Sequence, residues 1–298
     1  MNYQEFKQQI VSGLKSQLGS DATIAVSDIL KNNDTHLDGL TILSPGDNLS
    51  PTIYLDYYYR QYELGKSFDA ILSDILATYR KNSHSGHIDI SFFTDYDKVK
   101  SRIILKLVNY ERNRKLLSVV PHYRFLDLAV VFHCLLNSGP CGNATILIHN
   151  RHLPYWNITK DDLYALAMQN TPRLMHYDLR NMTEVLHGLF PEEEAFSLSA
   201  EKDTCCQMYV LSNQQKLYGS SCILYDNLLQ NFANRLECDF YILPSSVHEV
   251  LLIPADNRAT GMELSSMVQD VNSSQLSREE ILSDHVYYFS REDGQITM

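Results

Sequence analysis

The sequence predicts an α+β fold of repeated strand-strand-helix units, with helices packed on antiparallel or mixed sheets. Apolar runs of strand length occur mostly in pairs, and segments with a one-sided apolar stripe separate the pairs. Glycine, proline and asparagine divide these segments from one another. A chain of 298 residues with 44% hydrophobic residues is long enough for one large domain or two ordinary ones.

The first predicted element is a helix at the N-terminus. Asn2 and Glu5 have the spacing of a capping box, and Gly19 supplies a stop signal. The apolar residues that recur on one face of this helix are Tyr3, Phe6, Ile10 and Leu14.

Strands and two further helices follow. Residues 50–82 predict two helices that are broken at Gly65, and Ser67 has the right side chain to cap the second one. The strand-like runs in this part of the chain are residues 22–30, 37–43 and 87–93.

A long basic helix is predicted at residues 95–117. Between Lys98 and Arg124 eight basic residues accompany one acid, Glu111, although the formal net charge of the chain is −11. The apolar residues on one side of this helix are Val99, Ile103, Leu107 and Tyr110. The basic residues expected on its other side are Lys98, Arg102, Lys106, Arg112, Arg114 and Lys115.

A boundary between two α+β parts, 1–171 and 205–298, is predicted in residues 172–204. Periodicity weakens there, and Pro191 precedes a run of three glutamates. The segment fits a linker or a surface excursion, and one continuous domain fits as well. Before it, the sequence predicts paired strands at 125–136 and 142–150 and a helix at 157–170 capped by Asn157 or Thr159.

The strand-strand-helix order resumes after this segment. Predicted strands are residues 207–212, 218–225, 239–244, 248–254 and 285–291, and predicted helices are residues 226–236 and 261–272.

Six runs of the sequence resemble a known protein family. They are VNYERNR, RFLDLAVVF, GNATILIHN, YVLSNQQKLYG, ILPSSVHEVLLIP and LSDHVYYFSR. The family consists of Firmicutes proteins, common in gut clostridia, and is known only as a domain of unknown function. The resemblance implies a bacterial, cytoplasmic origin, and it implies no activity, cofactor or catalytic residue.

Composition narrows the class of protein. The sequence contains no apolar stretch near the roughly 20 residues of a membrane-spanning helix and no apolar signal-peptide block, so we expect a soluble, cytoplasmic protein. The six cysteines lack a CxxC pair and indicate reduced thiols, although the adjacent Cys205 and Cys206 leave a redox pair or a soft-metal site open. The net charge of −11 argues against general nucleic-acid binding.

The polar insert 245–249 lies between two apolar strands and predicts either a turn or an active site. In the catalytic hypothesis Ser246 is a nucleophile and His248 its base. Side chains two residues apart on a strand are about 6.5 Å apart, which is too far for a hydrogen bond of about 3 Å. Pro244 and the serines fit a turn between two buried strands.

The sequence lacks the phosphate-loop, dinucleotide, zinc-protease and nucleophile-elbow motifs.

Histidines suggest two further hypotheses. A metal site is conceivable if His248 and Glu249 meet Asp284 and His285, and the simpler alternative is a hydrogen-bonded histidine at a strand end. The second hypothesis concerns His149 and His152, which have ligand spacing but also fit a surface pair. Trp156 is expected to anchor the following helix.

The basic segment leaves three alternatives open: a solvated helix face, docking on the protein's own acidic surface such as 192–194, or binding of an acidic or phosphate-bearing partner. We therefore expect a non-enzymatic binding or regulatory protein without a cofactor. The alternative is a hydrolase or metal-dependent enzyme with a site near Ser246, His248, Glu249, Asp284 and His285.

Overall fold

The computed structural model describes residues 1–19, 21–47, 50–82, 91–136, 144–189, 207–244, 246–256 and 260–298. Contacts within the chain divide it into two units, Met1–Phe92 and Phe93–Met298. Both units contain helices and antiparallel strands, which confirms the predicted α+β class. None of the helices described is long and apolar enough to cross a membrane.

The first unit packs helices against a three-stranded sheet with the order β1-β2-β3. The predicted capping box is present, since Asn2 Oδ1 accepts a hydrogen bond from the Glu5 N–H at 2.9 Å. The predicted apolar face of α1 is buried, and Phe6, Ile10 and Leu14 pack into one core with α3. The elements are α1 (Tyr3–Leu18), β1 (Thr23–Leu30), β2 (His36–Leu43), β3 (Ile53–Tyr54), α2 (Leu55–Glu63) and α3 (Phe68–Asn82).

The second unit begins with a four-stranded sheet in which β6 pairs with β4, β5 and β7. Helix α7 runs along β4, and the Thr171 hydroxyl accepts a hydrogen bond from the Leu105 N–H at 3.0 Å. The elements are α4 (Tyr96–Val99), β4 (Ile103–Asn109), α5 (Arg114–Leu117), β5 (Tyr123–Phe125), β6 (Leu128–Leu136), β7 (Ala144–Leu147), α6 (His152–Trp156) and α7 (Lys160–Leu174).

The predicted basic helix 95–117 is wrong. Its centre is strand β4, which pairs antiparallel with β6 from Ile103↔Cys134 to Asn109↔Leu128. Every residue of β4 except Lys106 is buried, so both faces of the strand are covered. The spacing of Val99, Ile103 and Leu107 suggested a helix, but a nearly continuous apolar run of this length equally fits a buried strand.

A six-stranded antiparallel sheet, β13-β12-β10-β11-β9-β8, completes the second unit. Strands β10 and β11 pair as an antiparallel hairpin, with Pro244 and Ser246 between them. The elements are β8 (Tyr177–Asn181), α8 (Met182–Leu189), β9 (Tyr209–Asn213), α9 (Leu228–Leu236), β10 (Phe240–Leu243), β11 (Val250–Pro254), α10 (Gly261–Ser274), β12 (Tyr287–Ser290) and β13 (Gln295–Thr297).

The strand predicted at 218–225 is also wrong, because Gly219–Leu224 is a 3₁₀ helix. An added Cβ at Gly219 would overlap the His248 carbonyl oxygen and Ser212 Oγ. This close approach brings the backbone of the 3₁₀ helix against the β10–β11 turn.

Some predictions lie partly or wholly outside the described residues, which include neither Cys205 nor Cys206. The strand predicted at 87–93 overlaps them only at its end, where Ser91–Thr94 is a 3₁₀ helix. The predicted linker 172–204 includes the end of α7, then β8 and α8, and its remaining residues from 190 onward are outside the described part. Its role as a linker stays a prediction.

Candidate functional site

Ser246 caps the β10–β11 turn. Its side chain is buried, and its Oγ accepts hydrogen bonds from the backbone N–H groups of His248 at 3.0 Å and Glu249 at 3.3 Å. The hydroxyl thus satisfies two turn amides. The two catalytic candidates therefore meet through the Ser246 hydroxyl and the His248 backbone N–H. Nδ1 of the His248 ring has no hydrogen-bond partner among the described residues.

Asp284 and His285 lie in different surroundings from His248. Asp284 pairs with Arg112 and accepts a hydrogen bond from Asn272 Nδ2 at 2.8 Å. The His285 side chain is exposed, and its backbone N–H donates to Ser283 Oγ at 2.9 Å. Across the part of the chain that the structure describes, no group of three or more His, Cys, Asp or Glu side chains is arranged to hold a metal ion.

The basic candidates are distributed over several elements instead of one helix face. Lys98 contacts Asp95 at 3.6 Å, and Arg114 contacts Glu111 at 2.9 Å, both on the exposed surface. Arg112 contacts Asp284, so three members of the set pair with acids of the protein itself. Arg102 is half-buried and Lys115 is exposed. The acidic residues 192–194 are outside the described part.

Lys106 differs from the other basic candidates because it lies on the buried strand β4. Its ammonium nitrogen is 4.6 Å from the centroid of the Tyr218 ring, within the range of a cation–π interaction. Two imidazole rings flank the same phenol: His133 at 5.1 Å and His248 at 6.2 Å between ring centroids. We call Lys106, His133, Tyr218 and His248 the Tyr218 cluster.

Strand register explains why Lys106 and His133 share a face. His133 on β6 is opposite Ile104, and Lys106 is opposite Val131. Directly opposed residues point to the same side of a sheet and residues two apart do likewise, so Lys106 and His133 project together. Tyr218 reaches this face from the segment after β9.

The backbone near Tyr218 is held in an uncommon conformation. Lys216 and Tyr218 both have left-handed φ angles, of 53° and 54°. The Asn213 side chain closes the segment, since its Nδ2 donates to the Leu217 carbonyl at 2.7 Å and its Oδ1 accepts from the Leu217 N–H at 3.2 Å. The Tyr218 hydroxyl is 3.0 Å from Thr145 Oγ1. The ring is therefore fixed at both ends, at some backbone strain.

The histidines of the cluster are held neutral. Burial lowers the pKa of His133 well below its ordinary value, and the Lys106 ammonium and His149 lower it further. Burial and Lys106 also lower the pKa of His248, against smaller opposing effects of Glu280, Glu249 and the Lys216 backbone. The Nδ1 atoms of both rings are buried without a hydrogen-bond partner among the described residues.

The other histidine pair contributes to packing. The His149 N–H donates to His152 Nδ1 at 3.0 Å, and the His152 ring packs 5.4 Å from Trp156. The Trp156 indole donates to the Phe93 carbonyl at 3.0 Å. Trp156 therefore anchors the preceding segment that contains Phe93, in addition to its position before α7.

The Tyr218 cluster offers one cation and two neutral imidazoles around a phenol. Such a set can donate hydrogen bonds to an anionic group while the ammonium supplies opposite charge. Sequence reasoning selected Lys106 and His248 for separate reasons, and it missed His133 and Tyr218. A single histidine in the apolar run of β6 was the available signal for His133, whereas no spacing pointed to Tyr218.

Comparisons with known proteins give a family and no activity. No curated protein and no solved structure matches the chain. The sequence matches a family of unknown function, DUF5688, over residues 3–291. This match spans nearly the whole chain and includes every residue of the Tyr218 cluster. The chain therefore belongs to this family of unknown function.

Proposed function

We propose that this chain is a non-enzymatic binding protein of the bacterial cytoplasm, and that the Tyr218 cluster recognises an acidic or phosphate-bearing group on its partner. The observation that carries the proposal is that Lys106 lies over the Tyr218 ring, and that this ring is flanked by two imidazoles whose Nδ1 atoms have no hydrogen-bond partner among the described residues. The Firmicutes origin and the cytoplasmic location belong to the same proposal, and the six resembling sequence runs support them.

Unpaired buried nitrogen atoms support binding on energetic grounds. A buried polar atom without a partner destabilises a protein by about 1–3 kcal/mol, so native structures contain few of them. Two such atoms flank one phenol here. A bound anion could accept a hydrogen bond from either imidazole once that nitrogen carries the proton.

Positive charge near the cluster supports an anionic partner. Lys106 acts on both histidines strongly enough to lower the pKa of each. Since the surroundings are partly buried, this charge is screened less by salt than an exposed charge is. The overall charge of −11 would repel polyanions, which favours a small or localised anionic group over nucleic acid.

The test is calorimetric titration of the full chain with inorganic phosphate and, separately, with glutamate. We expect binding that weakens with salt and falls about tenfold or more in Lys106→Met, because a charge-assisted contact is lost. Lys160→Met is the matched control, since Lys160 also lies over a tyrosine ring, 4.2 Å from the centroid of Tyr123. Equal binding by the two variants would contradict the proposal.

The same protein preparation tests the enzymatic alternative near Ser246, His248, Glu249, Asp284 and His285. Turnover of p-nitrophenyl acetate that Ser246→Ala abolishes would favour a hydrolase. Stoichiometric metal in the purified protein would favour a metal-dependent enzyme. The capping role of Ser246 in the turn supports neither outcome, because its Oγ already accepts two backbone hydrogen bonds.

A further inference from the structure

Strand β1 forms one edge of the three-stranded sheet in the first unit. It pairs with β2 along all eight of its residues, from Thr23↔Leu43 to Leu30↔His36, and no other strand of the described residues pairs with it. An open strand edge presents backbone donors and acceptors that another extended segment can use.

The hydrogen bonds of β2 identify which backbone groups of β1 point outward. The Asp38 N–H donates to Asp56 Oδ2 at 2.9 Å and the Ile42 N–H donates to Ser50 Oγ at 2.9 Å, both away from β1. Opposed residues in an antiparallel pair alternate between exchanging two hydrogen bonds and exchanging none. The partners Asp28 and Ile24 therefore belong to the pairs that exchange none.

It follows that the N–H and C=O groups of Ile24, Val26 and Asp28 project from the open edge. The hydrogen bond from the Lys31 N–H to the Thr35 carbonyl, at 2.7 Å, fits the same alternation one residue beyond the strand. An added strand could thus hydrogen-bond to the backbone of these three residues, which lie at alternate positions of β1.

A groove accompanies this edge. It has a volume of about 580 Å³ and is lined by Val26 of β1, by Asp38 of β2 and by five residues of α1, which include the Asp38 partner Lys7. Since Val26 faces α1, every second side chain of a strand added to β1 would enter the space beside the helix. The helix and the open edge together form a cleft for an extended segment.

Charge at the edge selects the kind of segment. Asp28 and Asp38 lie directly opposite each other, and like charges in this position repel. Lys7 contacts Asp38 at 2.7 Å, whereas Asp28 contacts His36, which compensates it only when the imidazole is protonated. The Asp28 side chain is 62% exposed, so its charge is available to a partner.

A second copy of β1 is a poor complement to this edge. Residues 23–30 contain an aspartate and no lysine or arginine. Pairing of two β1 strands would therefore add a second carboxylate and no cation.

We propose that the first unit binds an extended peptide segment with basic side chains, which adds as a strand to the open edge of β1 and lays alternate side chains in the groove beside α1.

The experiment uses the full chain and two synthetic peptides of the length of β1, one alternating valine and lysine and one alternating valine and glutamate. We expect the lysine peptide to bind more tightly, and Asp28→Asn to reduce that preference about threefold. Val26→Pro removes an outward N–H without removing a bond to β2, and we expect it to weaken binding about tenfold. Val26→Thr keeps the N–H and is the matched control.

Amide hydrogen exchange measured by NMR tests the same geometry in the unmodified protein. The amides of Ile24, Val26 and Asp28 should exchange rapidly in the free chain and slowly with the lysine peptide, while those of Ala25 and Ser27 stay slow throughout. Tight binding by a folded Val26→Pro variant would overturn the proposal. Equal affinity for both peptides, or protection of these amides by concentration-dependent dimerisation, would do so as well.

Discussion

Gly219 makes the closest backbone approach at the edge of the candidate site. Gly219→Ala should lower the free energy of unfolding by about 3 kcal/mol, because the added methyl group overlaps the His248 carbonyl and Ser212 Oγ. Gly261→Ala is the control, since its nearest neighbour would be Tyr241 Cε1 at an ordinary 3.7 Å. Denaturant unfolding of both variants measures the difference, and a comparable loss in both would contradict this account.

His133 should make stability depend on pH. Burial lowers its pKa in the folded state, so the unfolded chain binds the proton first as pH falls. The free energy of unfolding should therefore decrease below about pH 6.5, with a slope of up to about 1.4 kcal/mol per pH unit, until the folded-state pKa is reached.

The check is denaturant unfolding between pH 8 and pH 5. His133→Phe should remove this component of the pH dependence, and His285→Gln, which alters an exposed histidine, should retain it. Identical pH profiles for His133→Phe and the unmodified protein would show that another group is responsible.

The candidate residues show what one sequence can predict. The role of Ser246 in a turn can be predicted from the sequence, because serine and proline favour turns through local hydrogen bonds and backbone geometry. The Tyr218 cluster cannot be predicted in this way, because it depends on the register of β4 with β6 and on the left-handed backbone conformation of Tyr218. Lys106 was selected as one charge among several, and only its strand position distinguishes it.

At the scale of elements, helices were predicted more accurately than buried strands. Capping residues and a repeated apolar face identify α1, α3 and α7, and the structure confirms them. Strand β4 was mistaken for part of a helix because both of its faces are apolar, which removes the alternation that marks a half-exposed strand.

Helix α7 hydrogen-bonds the backbone of β4 through the Thr171 hydroxyl and the Asn170 side chain. Thr171→Val should lower the free energy of unfolding by about 1–3 kcal/mol, because the buried Leu105 N–H loses its acceptor while the side-chain shape is kept. Thr183→Val, at an exposed position of α8, is the matched control and should change stability by less than about 0.5 kcal/mol. Thermal unfolding compares the two, and equal effects would remove the role assigned to Thr171.

Contacts divide the whole chain after Phe92. Strands β8 and β9, which precede and follow Pro191 and the adjacent glutamates, pair with each other within one unit, and the role of residues 172–204 as a linker or surface excursion stays a prediction. Long-range pairing decides domain membership, and no local composition reports it.

The first unit has its own core, formed by α1, β2, α2 and α3. We expect a fragment of residues 1–92 to retain helical circular dichroism and to unfold cooperatively on heating, because its buried apolar residues pack on one another. A fragment of residues 1–60, which lacks α3 and the last turn of α2, is the control and should not unfold cooperatively. Loss of structure in the longer fragment would contradict the division.

The contacts of Asp127 connect residues that are far apart along the chain. Asp127 lies between β5 and β6, and its carboxylate accepts hydrogen bonds from Ser283 Oγ at 2.6 Å and the Tyr287 hydroxyl at 2.5 Å. During synthesis, Asp127 is made 156 residues before Ser283 and 160 residues before Tyr287. The early sheet of the second unit therefore lacks these two hydrogen bonds until Ser283 and Tyr287 have been synthesised, whereas the first unit is already free to fold. A chain that stops before Ser283 would leave this carboxylate without both hydroxyls.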